Sequence, residues 1–128
     1  MGAWNTGPFD NDDAGDFADD VGGDGIPAIR TALQVAVDAD YLEAPEASHA
    51  VAAATFVAAV QAADLTLVPE DLRPVVLGLG RCPPGLPSLA LQALAKVVNG
   101  SELDELWAES NDYDAWLSSI SLLREKLA

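Results

Sequence analysis

Basic residues are scarce in this chain. Six Lys and Arg stand against 21 Asp and Glu, for a formal charge of −15. Such a charge repels phosphate backbones and anionic lipid surfaces, so nucleic acid and membrane surfaces are not expected partners. Cysteine occurs once, as Cys82, which excludes a disulfide framework and an all-cysteine metal site. A reducing, cytoplasmic compartment fits. Histidine also occurs once, as His49, and one His with one Cys does not make a zinc set. No apolar run reaches the roughly 18 residues that a bilayer span needs. The densest stretch, Ala50 to Ala63, has no positively charged segment before it and does not read as a signal peptide. Aromatic residues make up only 6% of the chain.

What is present is alanine, leucine, valine and acid. Half of the residues are hydrophobic. Ala has the best helix propensity and lets helix backbones approach closely. At 128 residues the chain reads as one domain, residues 1–128, able to bury a single core without staples. The acidic excess has two readings. One is solubility; the other is attraction to a basic protein partner.

Apolar spacing predicts helices near residues 11–21, 27–40, 46–63, 70–79, 88–98, 102–109 and 113–127. Asp10 is a good N-cap, with Asp13 at the third helical position, and Phe9 is placed to staple onto Ala14. Ala14, Phe17, Ala18 and Val21 form the first stripe, and Gly22-Gly23-Asp24-Gly25 is expected to end that helix. Pro27 and Pro45 sit where a helix start tolerates proline. Ile26, Ile29, Leu33, Val37 and Tyr41 make a second stripe. Residues 46–63 are apolar on nearly every face, the mark of a helix at the centre of a bundle. Pro74 kinks or restarts the fourth helix. Ser101 is expected to cap the sixth helix, and Asn111 or Asp112 the seventh. Asn99-Gly100 is a helix-stop signal. No segment alternates as a strand does. The expected fold is all-α, a single compact bundle of five to seven helices with an Ala-rich central helix.

The opening, MGAWNTGPFDND, resembles a bacterial family catalogued as domain of unknown function 4259, whose members begin with close variants of M-G-[AT]-W-G-x-G-x-F-[DE]-N-D. Asn5 stands in place of the usual Gly, and Asn also tolerates positive φ. The likeness continues in Tyr41-Leu42-Glu43-Ala44-Pro45 before the Ala-rich helix, in Asn99-Gly100-Ser101-Glu102-Leu103 through Trp107, and in Tyr113 with Trp116. It implies no activity. The motif begins at residue 1, so the initiator Met reads as part of the design, with no targeting peptide before it. Gly2 and Thr6 match a myristoylation pattern formally, but the Lys-poor composition looks bacterial and argues against it.

Candidate sites are few. Asp10, Asp12, Asp13 and Asp16 supply hard oxygen ligands of the kind calcium takes. A calcium-loop pattern fails at Ala14 and Val21, and the same residues complement a positive helix N-terminus. Trp4 and Phe9 suit an N-terminal arm packed into the bundle, or else a binding site. Ser48 and His49 are adjacent on a helix and so do not face each other as nucleophile and base. Arg81 is near enough in sequence to lower the Cys82 pKa, but no base is near, and Cys82 reads first as a loop or core thiol. Gly78-Leu79-Gly80 lacks the ending of a phosphate loop. Trp107, Tyr113 and Trp116 read as core, and aromatics of this kind also suit a homodimer seam. No catalytic constellation is visible and no cofactor is implied. The function that follows is protein–protein interaction with a basic partner, immunity- or inhibitor-like, through Asp12, Asp16, Asp19, Asp20 and Asp24. The alternative is a metal-binding or enzymatic module built on the Asp cluster.

Overall fold

The structure, a computed structural model, describes residues 12–128. Seven α-helices follow one another among the described residues: α1 (Asp12–Asp24), α2 (Ile26–Asp38), α3 (Ala44–Ala62), α4 (Arg73–Leu79), α5 (Leu86–Val98), α6 (Glu102–Ala108) and α7 (Tyr113–Leu127). Two short 3-10 turns, Leu65–Leu67 and Glu70–Leu72, lie between α3 and α4. There is no strand among the described residues. The fold is the expected all-α bundle.

Its axis is α3. Every side chain from Ala50 to Ala59 is buried, and all six other helices touch it. Small side chains make this possible. Alanine at 47, 50, 52, 53, 54, 58 and 59 is 0% exposed, so neighbouring helices close on the backbone itself. Phe56 and Val57 fill the larger gaps. The one hydroxyl in this stretch, on Thr55, donates to Val51 O at 2.8 Å, which avoids the cost of an unpaired buried polar group.

Helix ends are where the sequence reading needs correction. α1 continues through Gly22 and Gly23 to Asp24. The break is at Gly25, whose φ of +70° suits glycine, and whose N–H closes the last turn on Val21 O at 2.8 Å. α2 stops at Asp38, so Tyr41 leaves the stripe and is 51% exposed. The core positions of α2 are Ile29, Leu33 and Ala36. α5 begins at Leu86, two residues earlier than the spacing suggests. At Pro74 the chain restarts, passing from the Glu70–Leu72 turn into α4. Asp112 makes no side-chain cap on α7; the Ser110 hydroxyl accepts from its N–H instead, at 3.1 Å. Ser101 caps α6 as expected, accepting from Asp104 N at 3.0 Å.

Several helix ends are capped by side chains from other helices. Glu43, the residue before α3, makes no cap. The Glu102 carboxylate takes its place, accepting from Ala44 N at 2.7 Å, while Glu102 N donates to Leu42 O at 2.8 Å. A carboxylate at a helix N-terminus also meets the positive end of the helix dipole. Beside it, the Tyr41 hydroxyl donates to Glu105 at 3.1 Å. Lys96 of α5 reaches Ala39 O, just past the end of α2, at 2.6 Å. Gln61 of α3 donates to Leu127 O at the end of α7 at 3.1 Å. Apart from the Tyr41–Glu105 bond, which joins two side chains, these bonds satisfy backbone groups at or beside helix termini.

Candidate functional site

The first two helices and the start of α3 enclose an open groove of about 720 Å³. Its origin is the spacing of α1. Ala14, Phe17, Ala18 and Val21 are buried, which turns Asp13, Asp16, Asp19, Asp20 and Asp24 to solvent. Phe17, Asp20 and Asp24 fall three and four residues apart and form one wall of the groove. Pro27, Ala28, Thr31, Ala32 and Val35 of α2 form its floor, and Glu46 and His49 line it from α3. The His49 ring stacks on Phe17 at 5.4 Å between centroids and 20° between planes. The floor is apolar, with Val35 44% exposed, and carboxylates stand around it.

No ion pair among the described residues involves Asp16, Asp19, Asp20, Asp24 or Glu46; the salt bridge formed is Lys126 with Asp64, at 3.7 Å. Asp64 is also held by Thr66, whose hydroxyl and N–H both donate to it. These bonds, and then the nearby Lys126 charge, lower the Asp64 pKa.

Of the acidic residues singled out by sequence, Asp16, Asp19, Asp20 and Asp24 share the exposed side of α1, and only Asp20 and Asp24 line the groove. The side chain of Asp12 and all of Asp10 lie outside the described residues, as do Trp4, Phe9 and the Phe9–Ala14 staple. Among the described residues no group of three His, Cys, Asp or Glu is placed to hold a metal ion. Glu46, His49 and the second α2 stripe are groove residues that sequence reasoning did not select. The signal was there: Ala28, Ala32 and Val35 repeat at four and three, one position off the core stripe of Ile29, Leu33 and Ala36.

A second hollow, about 510 Å³, lies under the loop between α4 and α5 and is lined by Val60, Gln61, Cys82, Pro83, Pro84 and neighbours. Cys82 is a partly buried loop thiol, as its sequence setting suggests. Burial pushes its thiol pKa up, and no charge offsets that. Arg81 beside it is exposed. The thiol makes a long contact to Pro83 O at 3.7 Å.

The late aromatics pack within the chain. Trp107 stacks on Trp116, and Tyr113 stacks on Trp116 from α7's first turn, each pair at 6.1 Å. Both Trp rings are buried. The Tyr113 hydroxyl donates to Asp104 at 2.7 Å, and the carboxylate that accepts this bond raises the phenol pKa. No helix among the described residues is long and apolar enough to cross a membrane.

The chain belongs to the family described as Domain of unknown function (DUF4259), whose model matches residues 2–119. No curated protein and no solved structure matches it. The matched span includes both segments joined by Glu102. The turn Tyr41-Leu42-Glu43-Ala44-Pro45 and the segment from Ser101 to Trp107 meet through the Glu102 clasp and the Tyr41–Glu105 bond. These two motifs therefore help to build the bundle.

Proposed function

We propose that this DUF4259 chain is a small acidic, cytoplasmic binding protein that docks a basic protein partner through the exposed side of α1, in the manner of an immunity or inhibitor protein. One observation carries the reading. Asp16, Asp19, Asp20 and Asp24 are all exposed on one helix, and no described Lys or Arg pairs with any of them. Such a face raises the rate of encounter with a cationic surface, because the summed field steers the approach. Within the fold these carboxylates have no packing role, since the core of α1 is made by Ala14, Phe17, Ala18 and Val21.

The test is capture from the native host with the full chain as bait, at low and at high salt. A basic protein should be retained at low salt and released as salt rises. A variant with Asp16, Asp19, Asp20 and Asp24 all changed to Lys should keep its helical spectrum and lose that protein. Capture that ignores both salt and the four changes would dismiss α1 as the docking face.

A further inference from the structure

From the shape and charge of the groove we infer that it seats one amphipathic, basic helix of the partner, apolar residues down and arginines or lysines against Asp20, Asp24 and Glu46. This rests on the basic-partner reading above and adds the form of the ligand. The groove's lining runs from Phe17 to Asp24 on α1 and from Pro27 to Val35 on α2, about 12–14 Å at 1.5 Å per residue, or a little over two turns of a helix. A helix laid in such a trough anchors through side chains at i, i+3 or i+4, and i+7. The floor offers Ala28 and Ala32, small enough to let a backbone come close, and then Val35, already 44% exposed. Carboxylates line the same groove from two other helices: Asp20 and Asp24 from α1, Glu46 from α3. An apolar stripe bordered by cations matches this arrangement on both counts.

Charge selects this occupant over the two others within reach. A second copy of the chain would bring a charge of −15 against the same carboxylates. The chain's own residues 1–11 contain aromatic side chains but no Lys or Arg. The second copy brings a net negative field and the segment has no side-chain cation, so neither matches Asp20, Asp24 and Glu46 charge for charge. A cationic helix supplies a counter-charge for each.

The inference is tested with two synthetic peptides of identical leucine, alanine and arginine content. One places its leucines at i, i+3, i+4 and i+7; the other scrambles them around the helix. Each carries a fluorophore and is titrated with the full chain. The ordered peptide should bind at least about tenfold more tightly, a difference of about 1.4 kcal/mol. Val35→Gln, at an exposed position that leaves the charge alone, should bring the ordered peptide down to the level of the scrambled one. Asp20→Asn with Asp24→Asn should weaken both peptides.

If the two peptides bind alike, the groove is not a helix seat, while the steering face of α1 still stands. If neither binds but the host's basic partner is still captured in a salt-sensitive way, the groove inference alone fails. If that capture fails too, both readings fall. Should Trp4→Ala raise the affinity for the ordered peptide about tenfold, the occupant is the chain's own N-terminal segment and the proposed ligand is wrong. A second copy would show itself as peptide affinity that falls while the protein's sedimentation coefficient rises with concentration.

Discussion

Single residues decide where helices stop, and Ser101 shows how. Its hydroxyl accepts from Asp104 N at 3.0 Å and donates to Val97 O at 2.6 Å, so it caps the start of α6 and ties it to the end of α5. It is only 2% exposed, so no water replaces those bonds if the hydroxyl goes. Ser101→Ala should therefore cost about 1–2 kcal/mol, the upper part of the range for losing an N-cap. Chemical denaturation of the two proteins measures this directly. An unchanged midpoint would mean that the Asp104 N–H finds another acceptor and that the cap is not stabilising. Gly25 acts by a different route. At φ +70° it lets α1 turn into α2 within one residue, and that tight connection brings Asp24 and Pro27 to the same end of the groove.

At the scale of elements, caps supplied by other helices set the arrangement. Glu102 is in α6, yet it serves the first turn of α3 through Ala44 N. Glu102→Ala should destabilise the bundle by about 1 kcal/mol, as loss of a cap does, and Glu102→Gln should recover part of that, because its amide oxygen can still accept. If Gln is no better than Ala, the contribution is charge alone. The same bonds explain what was and was not legible beforehand. The helices were readable because their stripes are periodic: Ala14/Phe17/Ala18/Val21 in α1, Ile29/Leu33 in α2 and Trp116/Ile120/Leu123/Leu127 in α7 are all buried. The all-round apolar character of α3 placed it at the centre correctly. The ends were less readable, since local signals compete with distant ones. Gly22 and Gly23 looked like a stop, but α1 packs on α3, Phe17 stacking on His49, and the helix runs past them to Asp24. Lys96 fastens the chain after Asp38 through Ala39 O, which puts Tyr41 beyond the helix. Half of the candidate site was legible as well. The exposed acids of α1 follow from its period, whereas Glu46 and His49 enter the groove only through the docking of α3, and no sequence period encodes that.

For the whole molecule the governing quantity is a charge of −15. Of its six basic residues, Lys96 and Arg73 are held by backbone carbonyls and Lys126 by Asp64, which leaves few to neutralise α1. A chain so far from neutrality repels itself in the folded state. Screening should relieve this. The melting temperature should rise as salt goes from very low to physiological strength, where the Debye length shrinks to about 8 Å. The variant with Asp16, Asp19, Asp20 and Asp24 changed to Lys moves the charge toward neutrality, so at low salt it should melt above the parent. The gap should close at high salt. The same substitutions are expected to slow association with a basic partner, because steering depends on the field that they remove. Stability gained and binding lost from one set of changes is the pattern of a surface kept for recognition at the expense of the fold. If the variant instead melts below the parent at every salt concentration, the α1 carboxylates have a structural role within the bundle. Such carboxylates would be kept for the fold and not for a partner.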